Sequence, residues 1–309
     1  MTSRQAARFL MCRPDHFAVT YAINPWMDPQ SWARRWHAHA AASRQEWEEL
    51  YRKLRALGAE IELVPPAPEV PDLVFTANAA VVLDGKALLS RFRYGERRRE
   101  EAHFEAAFAA LHRRGLVDRV RPLPDGVVIE GAGDCVFDAT RNLFWMGYGP
   151  RSDLAARGTV RETFGVEVVA LELADPRFYH ADTALCPLPR GELLYVPGAF
   201  TAEGRAAIRD RVAPAARIEV GIEDAGQLAA NAVSLGDHVV MSACSERLRG
   251  ELLERGYQVA TTSLDAFLRS GGAAFCLTLR LDRRSAARAT AAPDVGAPAL
   301  IGADAVPGR

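Results

Sequence analysis

The chain has 309 residues, 49% hydrophobic and 25% charged, which places it among folded proteins with a sizeable core and excludes disorder throughout. Thirty-eight basic side chains stand against 39 acidic ones, a formal charge of −1, and this excludes the broad cationic surface that would make nucleic acid an expected partner. The opening MTSRQAARFLMCRPD lacks the apolar stretch and cleavage site of a secretory signal, and no apolar window reaches membrane-spanning length, so a cytoplasmic protein with no membrane partner is expected.

In chain order, the first strong pattern runs from Pro29 to Leu57, where Trp32, Trp36, Leu50, Leu54 and Leu57 predict one face of a long helix. A strand, turn, strand run starts at Asn78 (NAAVVLDGKALLSRF), with Asp84 and Gly85 as its turn. The spacing of Phe104, Phe108 and Leu111 then predicts a helix over Arg97 to Arg114, ended by Gly115. Further hairpins follow from Asp134 (DCVFDATRNLFWMGYG), Asp182 (DTALCPLPRGELLYVPG) and Asn231 (NAVSLGDHVVMSAC). Helices are expected over Ala202 to Val212, Ser245 to Arg255 and Ser263 to Arg269, the last stopped by Gly271 and Gly272. A final β-rich run, CLTLRL, begins at Cys276. Residues 283–309, without aromatics or sustained periodicity, read as a flexible Ala/Pro/Gly-rich tail after a single catalytic domain spanning 1–282.

The five β-rich runs begin 56, 48, 49 and 45 residues apart, an internal repeat of hairpin and helix. Such units cannot bury their faces alone and must pack around or along a common axis; the alternative is coincidence in an ordinary α/β protein. Each unit starts with a polar or reactive residue, Asn78, Asp134, Asp182, Asn231 or Cys276, just ahead of an apolar strand. Equivalent positions facing one axis would bring these side chains into one cavity.

That cavity would hold a thiol at Cys276, an imidazole at His180 and carboxylates at Glu130, Asp134 and Asp182. Thiol and imidazole form an activated nucleophile with a proton shuttle, and a planar guanidinium is the cation that paired carboxylates grip best. Each residue also has a structural reading. The GGAAF run before Cys276 can serve tight packing, and a lone histidine such as His180 is often a hydrogen-bonded core residue. Glu130, in VVIEGAGD, follows three β-branched residues and precedes a glycine, a poor setting for a solvated charge. The histidines at 16, 37, 39, 103, 112 and 238 receive no chemistry. With Cys12, Cys135, Cys186 and Cys244, the cysteines number five and include no CxxC pair, so free thiols and no metal are expected.

The strings PDLVFTANAA, EGAGDCVF and FYHAD, with the late Cys276, resemble the guanidino-group-modifying, or amidinotransferase-like, superfamily over roughly residues 10–282. It includes arginine deiminases, dimethylarginine dimethylaminohydrolases, amidinotransferases and arginine dihydrolases; the opening MCRPDHFAVTYAINPWMDP is most similar to the short bacterial arginine dihydrolase type. The resemblance implies a pentein fold, an α/β five-bladed propeller of ββαβ units with pseudo-fivefold symmetry. It further implies Cys276 as nucleophile, His180 as general acid and base, Glu130 as the carboxylate fixing the guanidinium, and no cofactor. Asp182 matches the second position of the family's HxD element. Asn78 stands where deiminases carry Asp, and its amide can bond a neutral ureido group as well as a cation, which favours two hydrolytic rounds. Arg91 or Arg93 corresponds to the arginine that holds a substrate carboxylate, Asn24 to a substrate-loop residue, and Asp134 and Asn231 complete the substrate-binding set. The expected substrate is a small guanidino compound, and a homo-oligomer stays open. The rivals are single-step deimination or dimethylaminohydrolysis, amidino transfer, and a non-catalytic scaffold.

Overall fold

The computed structural model describes residues 6–289. The hairpins form where Asp-Gly, Asn and Gly turns allow a left-handed backbone: Asp84 and Gly85 take φ of 55° and 72°, and Asn142 takes 52°. Each hairpin is extended by one more strand, which returns parallel to the second after a crossover helix.

The first sheet contains β1 (Arg8–Cys12) and its parallel neighbour β2 (Glu60–Val64). The second contains β3 (Ala80–Leu83), β4 (Lys86–Leu89) and β5 (Arg119–Arg121). The third contains β6 (Cys135–Asp138), β7 (Leu143–Tyr148) and β8 (Glu167–Glu172). The fourth contains β9 (Leu185–Pro187), β10 (Leu193–Tyr195) and β11 (Arg217–Glu219). The fifth contains β12 (Val233–Leu235), β13 (His238–Met241) and β14 (Gln258–Thr261). Strand β15 (Leu279–Arg280) returns antiparallel to β1, so the first sheet is completed by both ends of the described chain. The architecture is α/β, with one antiparallel and one parallel pairing in every sheet.

Strands β3 and β6 are buried on both faces, which explains why AVVL and CVFD read as continuous runs rather than alternating ones. Helices Trp36–Ala56, Glu100–Arg113, Ala156–Phe164, Ala202–Arg211 and Glu246–Glu254 supply the crossovers. Thr201 and Ser245 cap two of them by accepting from the Gly204 and Leu248 amides. The long helix expected from Pro29 breaks at Arg35 into Pro29–Arg34 and Trp36–Ala56. Its two tryptophans do not share a face: Trp32 is 4% exposed and Trp36 is 53% exposed. The helix expected from Arg97 likewise divides into Gly95–Arg98 and Glu100–Arg113, and the first turn drives Arg97 into the interior.

The boundary drawn at 283 falls inside ordered chain. The Arg283 carbonyl accepts from the Asp84 amide at 2.9 Å, while the Ser285 amide and hydroxyl donate to the Asp84 carboxylate at 2.8 and 2.6 Å. The Ala286 amide donates to Asn142 Oδ1, and a helical turn covers Ala286–Ala289. The rest of the expected tail, 290–309, lies outside the described residues. Asp84→Ala removes the acceptor of two buried bonds and places alanine at a positive φ; the expected loss is on the order of 1–3 kcal/mol, read as a lowered Tm. An unchanged Tm would contradict this anchoring role.

Candidate functional site

The polar residue at the head of each repeat is held just before its strand, in three cases in or beside a 3-10 turn: Thr76–Asn78, Gly131–Gly133 ahead of Asp134, and Ala181–Thr183. Asn78, Glu130, Asp134, His180, Asp182, Asn231 and Cys276 are all buried to 2% exposure or less.

Cys276 is fixed by its neighbours' side chains. Its thiol donates to Asp182 Oδ2 at 3.2 Å, and Asn231 Nδ2 donates to the sulfur at 3.1 Å and to the Asp182 carbonyl at 3.0 Å. Asn231 Oδ1 accepts the amides of Ala273 and Cys276, so one side chain sets both backbone and sulfur. Burial, followed by the Asp182 charge, pushes the thiol well above its ordinary range. Burial also raises Asp182 to about 7, only partly offset by the bonds from Cys276 and Asn231. Near neutrality the thiol therefore keeps its proton while Asp182 titrates. Asp182 Oδ1 is buried with no hydrogen-bond partner among the described residues.

Glu130 behaves in the opposite way. Burial opposes its ionisation, but Arg151, then His180 and Arg97, outweigh burial and hold it well below the usual carboxylate range. His180 Nε2 lies 2.8 Å and Arg151 Nη1 3.0 Å from Glu130 Oε2. Asp134 Oδ2 lies 3.8 Å from the same His180 Nε2, and Asp134 accepts from Ser152 Oγ at 2.5 Å and from the Ala181 amide at 3.1 Å and is raised by burial to about 6. Ser152 Oγ also accepts the Glu130 amide, so it ties the two carboxylate positions together.

Asn78 donates from Nδ2 to the Glu130 carbonyl at 3.1 Å and accepts at Oδ1 from Arg97 Nη1 at 2.9 Å, which fixes the amide orientation. Gly133 is required beside it: a Cβ there would overlap Asn78 Nδ2 and come within 3.4 Å of His180 Nδ1. Asn24 donates to the Ser270 carbonyl and accepts the Trp26 amide, shaping the loop that also gives the Ile23 carbonyl to Arg151.

The two arginines singled out from the sequence are engaged elsewhere. Arg91 spends its guanidinium on the carbonyls of Leu123, Pro124 and Val127, and Arg93 on the Arg151 carbonyl and Asp153. The buried cations are Arg97 and Arg151, which sequence reasoning missed. Arg97 grips Glu100 through Nε at 2.8 Å and Nη2 at 2.7 Å. Arg151 lies between the rings of Tyr94 and Tyr179, 4.9 and 4.6 Å from their centroids. Among the described residues no cluster of His, Cys, Asp or Glu is arranged to hold a metal ion, and no helix is long and apolar enough to cross a membrane.

The raised Asp182 has a stability consequence. Its folded form keeps a proton that the unfolded chain releases above about pH 4, so between there and about pH 7 the residue increasingly disfavours the fold as pH rises. Asp182→Asn is therefore expected to raise Tm at about pH 8 by several degrees and to raise it less at about pH 5. A variant that melts no higher than the parent at the upper pH would contradict this reading.

The family model for eukaryotic N,N dimethylarginine dimethylhydrolase matches residues 13–283. The bifunctional arginine dihydrolase/ornithine cyclodeaminase AgrE of Nostoc sp. is 43% identical over 284 residues, 91% of this chain and 38% of AgrE; the chain thus spans well under half of that relative. The N(G),N(G)-dimethylarginine dimethylaminohydrolase of Mycobacterium tuberculosis is 34% identical over 89% of this chain and 85% of its own length. Among solved structures, the substrate-bound N-terminal domain of ArgZ, an arginine dihydrolase from the ornithine-ammonia cycle in cyanobacteria, superposes with a TM-score of 0.84 at 41% identity, covering 90% of this chain and 99% of that one. With the match running nearly from end to end, this chain belongs to the N,N-dimethylarginine dimethylhydrolase family.

Proposed function

We propose that the chain is a cysteine-dependent hydrolase of the guanidino group, an arginine dihydrolase that converts arginine to ornithine, ammonia and carbon dioxide. The observation that carries this reading is Asp182. One of its oxygens takes the thiol hydrogen of Cys276, and the other is a buried acceptor with no hydrogen-bond partner among the described residues. A planar guanidinium supplies N–H groups in the fork that such a carboxylate accepts. Similarity to AgrE and to the ArgZ domain supports arginine as the substrate.

In this reading the five three-stranded sheets are blades of one α/β propeller, a single catalytic domain with the strand heads facing its axis. The repeated strand order and the hydrogen bonds between neighbouring repeats, Asn78 to the Glu130 carbonyl ahead of Asp134 and Asn231 to Asp182 and Cys276, support it.

The substrate's cation compensates the Asp182 charge, which together with burial holds the thiol up, and so lets the Cys276 proton pass to His180. Sulfur adds to the guanidinium carbon, and His180, oriented by Glu130, protonates the departing ammonia. A covalent thiouronium remains. Water deprotonated by His180 then adds to the same carbon, and the carbon–sulfur bond breaks to give citrulline and the thiol. In the second round water replaces the ornithine amine, leaving carbamate that decomposes to carbon dioxide and ammonia. Asn78 retains one N–H and one oxygen lone pair beyond its two bonds, enough to hold the neutral ureido group. Arg151 is the cation placed to receive a substrate carboxylate, exchanging its contact with Glu130 for that group and freeing Glu130 for the guanidinium.

The second reading rests on the family match and on the Mycobacterium relative: a single hydrolysis of arginine or dimethylarginine ending at citrulline. Product analysis separates the two. The dihydrolase reading expects ornithine with ammonia in about a two-to-one ratio, no turnover by Cys276→Ser, and citrulline accumulation by Asn78→Asp, in which a carboxylate would face the Glu130 carbonyl. Citrulline as the sole product of the parent chain would replace it with the second reading, and normal turnover by Cys276→Ser would remove both.

A further inference from the structure

At the hairpin-turn ends of the repeats, away from the buried thiol, lies a cleft of about 880 Å³. It is formed where the β6–β7, β9–β10 and β12–β13 turns meet the strand β15 and the residues after it. Arg280, Arg283, His238, Gln258, Ser234 and Thr140 supply its polar groups. A narrower apolar recess of about 40 Å³ continues inward from Arg280 and Arg283 to Ala232 and Phe275, the chain neighbours of Asn231 and Cys276.

The two arginines are differently placed. Arg280 is paired with Asp282 through Nε and Nη2, at 2.5 and 2.9 Å. Arg283 is half-buried, and its guanidinium makes no hydrogen bond or ion pair among the described residues. The carboxylate that lines the cleft, Asp237, is paired with Arg190 at 3.1 Å. The backbone that carries Arg283 is held by the clamp between Asp84, the Arg283 carbonyl and Ser285, which sets the side chain's origin at the mouth of the recess. Burial, followed by the charge of Arg280, lowers the Arg283 guanidinium to about 10, and the charges of Asp282 and Asp138 offset this only in part. A partly desolvated guanidinium with no hydrogen-bond partner among the described residues is uncommon, because its five N–H donors need acceptors.

We infer that this cleft is a second ligand site, separate from the thiol centre, which binds a small oxyanion, a carboxylate or phosphate, on the Arg283 fork with Arg280 beside it. Its volume suits a metabolite-sized molecule, and Gln258, Ser234 and Thr140 offer hydrogen bonds to the remainder of such a ligand.

The test uses the full chain and two probes, inorganic phosphate and succinate. Binding is followed by calorimetry, and phenylglyoxal labelling of Arg283 is read by peptide mass with and without each probe. At least one probe is expected to bind and to slow labelling of Arg283, and the probe that does so identifies the class. Arg283→Gln is expected to weaken that binding about tenfold or more, with Arg283→Lys intermediate because it keeps the charge and loses the fork. The labelling arm needs no variant, so a misfolded substitution leaves the test standing. The inference is overturned if Arg283 is unreactive without probe, if neither probe protects it, or if a folded Arg283→Gln binds both as the parent does.

Discussion

The structure depends on how it buries charge around one sulfur. Ionised groups taken out of water are tolerated only when partnered, and the partners assigned here divide two carboxylates into opposite states. Glu130 has Arg151 and His180 against one oxygen and stays ionised despite complete burial. Asp182 has a thiol and an amide for neighbours, no cation in contact, and retains its proton to about 7. Two buried acidic groups are thus held in different states: one is bonded to an imidazole, the other to the Cys276 thiol.

The same logic extends outward. Arg97 is neutralised by Glu100, touches Asn78 and lies near Asp72, which in turn accepts from Tyr21 and Ser270. Arg151 reaches from Glu130 to the Ile23 carbonyl. The loop around residues 21–26 is therefore fastened to the polar centre by side chains and carbonyls, as well as by Tyr21, Ile23 and Trp26 packing against the core. A change in that loop would be felt at Glu130 through one guanidinium.

Much of this was legible in the sequence because the signals were of kinds that tertiary context does not erase. Hairpin turns advertise themselves through Asp84–Gly85 and Asn142, and continuous apolar strands such as LFWM in β7 can only be buried. A polar residue at the head of each strand then had to face other polar groups, and Asn78, Asp134, Asp182 and Asn231 do. Arg97 and Arg151 were not legible. Arg97 sits in the run RFRYGERRRE, where four other arginines have the same local appearance, and only the break between two short helices decides which one turns inward. Arg151 follows GYGP, with no periodicity to assign its side chain a face. The spacing from Glu100 to Arg97 was a usable clue, since residues three apart on a helical turn can pair. The anchoring of Arg283 and Ser285 was hidden for a different reason: it depends on a turn two hundred residues earlier.

The central claim is that Asp182 keeps the Cys276 thiol protonated in the ligand-free chain, and thiolate ultraviolet absorbance titrated against pH, with Cys276→Ser subtracted, measures it most directly. The account predicts a Cys276 titration well above the ordinary thiol range, moving down in Asp182→Asn as the like charge is removed. A thiol that titrates in the ordinary range, or one indifferent to that substitution, would contradict it.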